Sequence, residues 1–280
     1  MTPVEAAVTM AAIAAIGLLV DAAETLVARE ALAPAGLYSW RVLGLGRRYL
    51  VRSVAAAPLG WLFQYPQVLL LPTVQLICVP VLLSGFFLPS ETAAPLIACA
   101  ALTAAGARVL FVMRQQLGLD GADQMLLIVL LASGFGALLG NTPAGSGAVD
   151  YAALQLLLSY LIAGGAKAIS PIWRSGNAIV GITGTIGYGH RWLHQLVSRN
   201  PLLARLVCLS VIVFECAAVP LLLLGIKGAW IVIIGGVCFH LGIAVVMGLN
   251  VFLWAFAATY PALLLLGTQI DSLLRQVVLP

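Results

Sequence analysis

Long apolar runs constrain the fold of this chain more than any other feature of its sequence. An α-helix needs about 20 mainly apolar residues to cross a bilayer, and several such runs follow one another along the chain. Only 9% of the residues are charged, whereas a soluble domain carries about a quarter. Membrane barrels are built from alternating segments of about ten residues. We therefore predict an all-α, polytopic transmembrane helical bundle, not a soluble, disordered or barrel protein.

The lengths of the apolar runs predict about seven membrane spans, within a range of about six to eight. Gly248 and Asn250 interrupt the last two segments, which could form one long broken helix. Arg108 indicates that the C-terminal end of the third segment, residues 92–113, is interfacial. We expect residues 1–280 to form a single membrane domain without a soluble domain. The candidate spans are residues 7–28, 66–88, 92–113, 124–140, 151–170, 202–225, 229–248 and 251–268.

Two connections between the spans are too long to be simple turns. Residues 29–62 interleave arginines with leucine, tyrosine and tryptophan, a mixture that suits a helix lying in the headgroup layer. Residues 171–200 are polar and basic, and we expect them to be partly re-entrant or interfacial. Asn200 followed by Pro201 predicts a helix start, because Asn is a favoured N-cap and Pro fits the first helical position.

The distribution of basic residues predicts the orientation of the chain. Connections rich in Lys and Arg stay on the cytoplasmic side. Basic residues concentrate in the connections 29–62, 114–123 and 171–205, which favours an N-terminus outside the cell. The net charge of +4 is small and dispersed, so we expect no nucleic acid as a partner. The apolar spans predict the lipid bilayer as a partner.

Ionisable residues within the apolar segments are the candidate functional residues. A charged side chain at the centre of a membrane helix costs about 2.5–3.5 kcal/mol on insertion scales, so such residues are usually paired or functional. Lys167, Glu215 and His240 lie in the fifth, sixth and seventh segments. Asp21 and Glu24 are three residues apart in the first segment, where they share one helix face.

Lys167 follows a stretch of small residues, and Tyr160 lies two turns before it on the same helix face. The small residues let a neighbouring helix approach closely. Because a low-dielectric site disfavours the ammonium form, Lys167 could act as a base at neutral pH. The alternative is that the Lys167 side chain snorkels to the interface.

Glu215 is the deepest acid and could pair with Lys167 or hydrogen-bond to His240, or it could be a purely structural acid. His240 stands alone on an apolar helix, where a structural interhelical hydrogen bond is the alternative to a functional role. Neither residue has a second ligand at metal spacing, so we predict no metal site. His190 and His194 are four residues apart, which an interfacial helix face explains better than a metal.

The segment 160–179 resembles the HTTM family, the transmembrane module shared with vitamin K-dependent gamma-carboxylase. The shared pattern is an aromatic residue, a small-residue stretch, Lys, and then Trp–x–x–Gly. The matching residues are Tyr160, Ala163, Lys167, Trp173 and Gly176.

Further blocks resemble the family in the same order over roughly 120–270. Asp123 and Gln124 belong to a Gly–Asp–Gln block of the kind found in stand-alone bacterial members. The other matching blocks are residues 198–206, 214–220 and 239–249.

The resemblance implies a reduced quinone of the vitamin K type as cofactor. In the carboxylases, the Lys that Lys167 resembles deprotonates the hydroquinone, to which oxygen then adds. The resulting alkoxide base removes a glutamyl γ-proton so that CO2 can add. The implied catalytic residues are Lys167, His240 and Glu215, with possible support from Tyr160, Asp123, Gln124 and Trp173.

The chain also departs from the animal carboxylases. The animal carboxylases have a His near the position at which this chain has Asp123. They also have a large lumenal domain that binds the peptide substrate. A closer resemblance in size is the membrane component that matures the sporulation-delaying peptide toxin, which works with a partner protein.

Two functions remain open from the sequence. One is quinol-linked modification or maturation of a secreted peptide in the bacterial cytoplasmic membrane, together with an accessory maturation protein. The alternative is a non-catalytic membrane partner or scaffold for the export or maturation of a peptide, in which Lys167 and Glu215 form a structural pair. A small transporter is less well supported, because no inverted repeat is visible.

Overall fold

A computed structural model describes residues 1–47, 57–115 and 118–278. These residues are folded into helices and contain no strand, which confirms the predicted all-α bundle. Within these described ranges, eight helical segments are long and apolar enough to cross a membrane. The chain is therefore an integral membrane protein, and its count of candidate spans is at the upper end of the predicted range.

The helices follow one another along the chain with short connections at most boundaries. The second candidate span, Gln67–Phe86, includes 3-10 turns before and after an α-helix, and the last, Asn250–Gln276, is bent between two helices. In chain order the α-helices are α1 (Pro3–Val27), α2 (Trp40–Leu43), α3 (Ala57–Leu62), α4 (Leu70–Leu83), α5 (Ser90–Arg114), α6 (Gly121–Leu139), α7 (Pro143–Ile169), α8 (Pro171–Ser175), α9 (Asn177–Thr183), α10 (Arg191–Arg199), α11 (Pro201–Leu222), α12 (Ile226–Met247), α13 (Asn250–Ala257) and α14 (Tyr260–Val278).

Local capping explains where several of these helices begin and end. The predicted start at Asn200 is confirmed: its Oδ1 accepts a hydrogen bond of 3.1 Å from the Leu203 amide, and Pro201 is the first helical residue. Gly248 adopts φ +72° and ends α12. This left-handed turn separates α12 from α13, so the last two predicted segments are distinct helices and not one broken helix.

Helix α1 lies at the centre of the bundle. It packs against α4, α5, α6, α13 and α14. Its buried face is rich in alanine, including Ala7, Ala11 and Ala14, which are fully inaccessible to solvent. Such small side chains let neighbouring helices approach closely within a membrane.

A second group of helices forms a closed ring beside α1. Helix α6 contacts α7, α7 contacts α11, α11 contacts α12, α12 contacts α13, and α13 returns to α6. The short helices α8, α9 and α10 pack against α11. This ring encloses the cavity described below.

Consecutive spans cross the membrane in opposite directions, so the connections after α1, α5 and α7 lie at one end of the bundle. We call this the basic end, formed by the described parts of 28–66, 115–120 and 170–200. Its third part, residues 170–200, contains no acidic residue. Residues 48–56 of the predicted interfacial connection lie outside the described residues, and the position of both connections in the headgroup layer stays a prediction.

Arg108 is buried between helices near the C-terminal end of α5, and the interfacial position of that end stays a prediction. Its side chain is only 2% exposed and lies between helices. Its Nη1 donates to Asp21 Oδ2 at 2.6 Å, and its Nη2 donates to Asp123 Oδ1 at 2.6 Å. Because two carboxylates from α1 and α6 satisfy the guanidinium inside the bundle, Arg108 has no need to reach the headgroups.

Candidate functional site

A cavity of about 810 Å³ lies within the ring of α6, α7, α11, α12 and α13. Its volume is within the range of roughly 300–1,000 Å³ that ligand sites occupy. Apolar and aromatic side chains make up most of its wall. The polar or ionisable lining residues include Gln124, Gln155, Ser159, Tyr160, Lys167, Ser210, Glu215 and His240.

Lys167 and Glu215 form an ion pair on the wall of this cavity. The Lys167 Nζ donates to both carboxylate oxygens of Glu215, at 2.8 and 2.7 Å. The Glu215 side chain is 3% exposed and that of Lys167 is 19% exposed. Lys167 thus points into the bundle and not towards the headgroups, and the snorkelling alternative does not describe the observed geometry.

The small-residue stretch before Lys167 allows this pair to form. A Cβ atom added at Gly164 would lie 2.8 Å from the Cβ of Glu215 and 3.0 Å from the amide nitrogen of Cys216. Real Cβ atoms do not approach neighbours so closely, so only glycine permits this separation of α7 and α11. The predicted close approach of a neighbouring helix is confirmed.

Trp173 covers the Lys167 end of the pair. The Lys167 Nζ lies 5.2 Å from the centroid of the Trp173 ring, within the distance of a cation–π interaction. Trp173 lies on α8, which turns into α9 at Gly176 with φ +89°. A Cβ at Gly176 would lie 2.5 Å from the Arg205 amide nitrogen, so glycine is required for α8 to pack on α11 in this position.

His240 pairs with Tyr160, and not with Glu215. The Tyr160 Oη and the His240 Nε2 are 3.0 Å apart, and both side chains are buried. The other ring nitrogen, His240 Nδ1, has no hydrogen-bond partner among the described residues. The sequence left both Lys167 and His240 open as partners of Glu215, and in the structure Glu215 binds Lys167.

Four rings on the cavity wall, those of Tyr160, His240, Phe252 and Phe256, stack on one another with interplanar angles of 9–29°. The planes of Phe252 and Phe256 differ by 9°, those of His240 and Phe252 by 20°, and those of Tyr160 and Phe256 by 23°. The centroids of His240 and Phe256 are 4.2 Å apart. Aromatic side chains on a cavity wall can also stack with the ring of a ligand.

Six of the seven predicted site residues line this one cavity. Asp123 is the exception, because its Oδ2 accepts a hydrogen bond from the Asp120 amide at 2.9 Å and its Oδ1 binds Arg108. It belongs to an adjacent ion cluster that also contains Asp21. The residues that line the cavity are Lys167, His240, Glu215, Tyr160, Gln124 and Trp173.

Sequence reasoning missed Ser210 of α11 and two polar cavity residues of α7, Gln155 and Ser159. The latter two recur together with Ala163 and Lys167 at every fourth position of α7, so they lie on the same helix face. That spacing was a signal from which they could have been found. Uncharged polar residues have a smaller free-energy cost of membrane insertion than charged ones. The sequence analysis considered ionisable residues and therefore did not include Gln155, Ser159 or Ser210.

The two histidines of the connection before α11 have local structural roles. His190 Nδ1 accepts a hydrogen bond of 3.4 Å from the Leu193 amide at the start of α10. His194 Nδ1 lies 3.2 Å from the Val180 carbonyl oxygen. Over residues 1–47, 57–115 and 118–278, no group of three or more His, Cys, Asp or Glu side chains is arranged to hold a metal.

Comparisons with known proteins found no match to this chain: no family model, no curated protein and no solved structure. The resemblance to the HTTM family therefore stays an expectation based on the residues quoted above. The geometry of the cavity supplies the observations for a functional proposal.

Proposed function

We propose that this protein is an intramembrane enzyme that binds a lipid-soluble reduced quinone in the cavity and accepts its proton on the Lys167–Glu215 pair. The observation that carries the proposal is the ion pair of Lys167 with the buried Glu215 on the wall of a cavity that is also lined by aromatic rings. The resemblance to the HTTM family supports the choice of quinone chemistry. The apolar surroundings support it as well, because they exclude water from a reactive anion.

The residues of the cavity fit a flat ring that carries polar groups. The parallel rings of Phe252 and Phe256 suit stacking on such a ring. Lys167 and Gln124, which also line the cavity, supply hydrogen-bond donors. A bound quinol would contribute two acidic hydroxyl groups and a pair of reducing electrons.

Glu215 makes a base role for Lys167 possible despite the salt bridge. Transfer of one proton along the 2.7 Å bond converts the ion pair into a neutral amine and a carboxylic acid. The neutral Nζ can then accept a proton from a hydroxyl group in the cavity, and Glu215 retains the first proton. The ammonium that re-forms at Lys167 stabilises the resulting anion at short range.

The neighbouring side chains hold this pair in place. Trp173 lies over the Nζ of Lys167 and restricts its rotamers. Tyr160 is fixed by His240 and lies on the same face of α7 as Lys167. Their roles are to position the base and to exclude water.

We further propose that the reaction modifies or matures a secreted peptide, together with an accessory protein, in the bacterial cytoplasmic membrane. The resemblance to the carboxylases and to the peptide-maturation component supports this assignment. The basic end of the bundle would then face the cytoplasm, because Lys- and Arg-rich connections remain inside.

The second candidate function is a non-catalytic membrane partner or scaffold for the export or maturation of a peptide. The bidentate geometry favours it, because two short hydrogen bonds from Lys167 to Glu215 satisfy both groups without a ligand. Exchange of the two residues, Lys167→Glu with Glu215→Lys, separates the candidates. A structural pair tolerates the exchange, whereas a base would be moved to another helix and peptide maturation would be lost.

Bound quinone is the direct test of the proposed ligand. Protein purified from its own membrane is extracted with organic solvent, and quinones are quantified by chromatography. Phe256→Leu should weaken binding roughly two- to tenfold, since an aromatic stack contributes about 0.5–1.5 kcal/mol. Phe87→Leu is the matched control, because Phe87 is 82% exposed and is not among the cavity residues. Absence of quinone from the wild-type protein would contradict the proposal.

A further inference from the structure

The cavity has a gap in its wall between α11 and α12. The two helices touch near the middle of the bundle, where the Phe214 and Phe239 rings are 5.7 Å apart. A Cβ added at Gly235 would lie 2.5 Å from the Phe214 ring. At this level the helices are in close contact and leave no passage.

Nearer the basic end, the same two helices leave open space. A Cβ added at Gly242 would meet no atom within 4 Å, although Gly242 lies on the cavity wall. Ser210 of α11 also lines the cavity, and both residues are exposed. We define the α11–α12 opening by Val207, Ser210, Gly242 and Val246, all of which line the cavity.

The surroundings of the opening are apolar. On α11, Leu206 and Val213 on either side of Ser210 are exposed, and on α12 Leu241 and Val245 flank Gly242 and are exposed. Exposed large apolar side chains on a membrane helix face lipid. Gly242 is five residues before the end of α12, so it lies about 8 Å along the axis from that end.

We propose that the cavity is loaded from the bilayer through the α11–α12 opening, in the leaflet at the basic end. The occupant is a lipid-dissolved molecule with a flat polar head and an apolar remainder that can lie between Ser210 and Gly242. This proposal rests on the proposed function in that both require a lipid-soluble ligand. It adds the route and the leaflet from which that ligand comes.

The reactivity of native cysteines can be used to test this route, and the experiment does not require that the ligand be identified. Cys238 lines the cavity one turn from Gly242. Both Cys238 and Cys99, which lies on α5, are exposed. Protein in lipid nanodiscs is treated with N-dodecylmaleimide, which dissolves in the bilayer, or with a sulfonated maleimide, which stays in water. Modification of each cysteine is followed by mass spectrometry of its peptide.

A tryptophan at the opening should block the route. Gly242→Trp should slow the reaction of Cys238 with N-dodecylmaleimide by about tenfold or more, while the rate at Cys99 stays unchanged. Gly106→Trp is the matched control, because Gly106 is also exposed, meets no atom within 4 Å of an added Cβ, and is not among the cavity residues. It should leave the rate at Cys238 unchanged.

Two results would overturn the proposal. One is an equal rate at Cys238 in Gly242→Trp and in the wild type, and the other is rapid modification of Cys238 by the sulfonated maleimide. Should Gly242→Trp fail to fold, Ser210→Trp blocks the same opening from the facing helix. A missing quinone in the purified protein would contradict the proposed function alone, whereas an unblocked Cys238 would contradict the route alone.

Discussion

Replacement of Arg108 by alanine should destabilise the bundle strongly, although Arg108 is not among the residues of the cavity. Its guanidinium satisfies the carboxylates of Asp21 and Asp123, each at 2.6 Å. Removal of one partner from a buried ion pair costs about 3–5 kcal/mol. Because the two aspartate side chains are 24% and 20% exposed, water can compensate them in part. We therefore expect a loss of about 3 kcal/mol, or roughly a hundredfold in the unfolding equilibrium constant.

The assay for this loss is reversible unfolding in mixed micelles, followed by circular dichroism. Arg275→Ala is the control, since Arg275 is exposed near the end of α14, and its loss should stay within about 0.5 kcal/mol. The triple variant Asp21→Asn, Arg108→Met, Asp123→Asn should recover much of the stability, because neutral groups need no charged partner. Arg108→Ala with no larger effect than Arg275→Ala would refute the reasoning.

Two further substitutions test the helix start and the buried polar pair. Asn200→Ala removes the N-cap of α11 and should lower the unfolding free energy by about 1 kcal/mol in the same unfolding assay. Gly236→Ala places a Cβ 2.6 Å from the Tyr260 Oη and 2.9 Å from the Tyr160 Oη. It should therefore displace both hydroxyl groups, including that of Tyr160 from His240, and cost about 1–3 kcal/mol. Gly242→Ala, where an added Cβ meets nothing within 4 Å, should be tolerated. Equal stability of the Gly236 and Gly242 variants would contradict the packing described for Tyr160.

The fold class and the helix start at Asn200 could be predicted from the sequence, and the Lys167–Glu215 contact was one of the alternatives that it left open for Glu215. Each depends on a strong local signal, either a long apolar run, a capping residue followed by proline, or a charge that membrane insertion penalises. The closeness of α7 and α11 was also visible in the small residues around Gly164. The prediction of these features does not depend on knowing how helices that are distant in the sequence pack against one another.

The burial of Arg108 and the cavity itself could not be predicted in the same way. The ion pairs of Arg108 were not visible in the sequence because its partners, Asp21 and Asp123, lie on two other helices. Only the packing of α1, α5 and α6 brings the three charges together. Similarly, the pairing of His240 with Tyr160 depends on the relative rotation of α7 and α12, which an apolar sequence does not specify.

Deprotonation of a bound quinol tests the central claim most directly. A reduced short-chain naphthoquinone is added under argon to the protein in nanodiscs, and its anion is detected by ultraviolet absorbance. The wild type should generate the anion at neutral pH, whereas Lys167→Arg should bind the quinol without forming it, because arginine keeps its proton. An equal anion signal in both proteins would show that Lys167 is not the base.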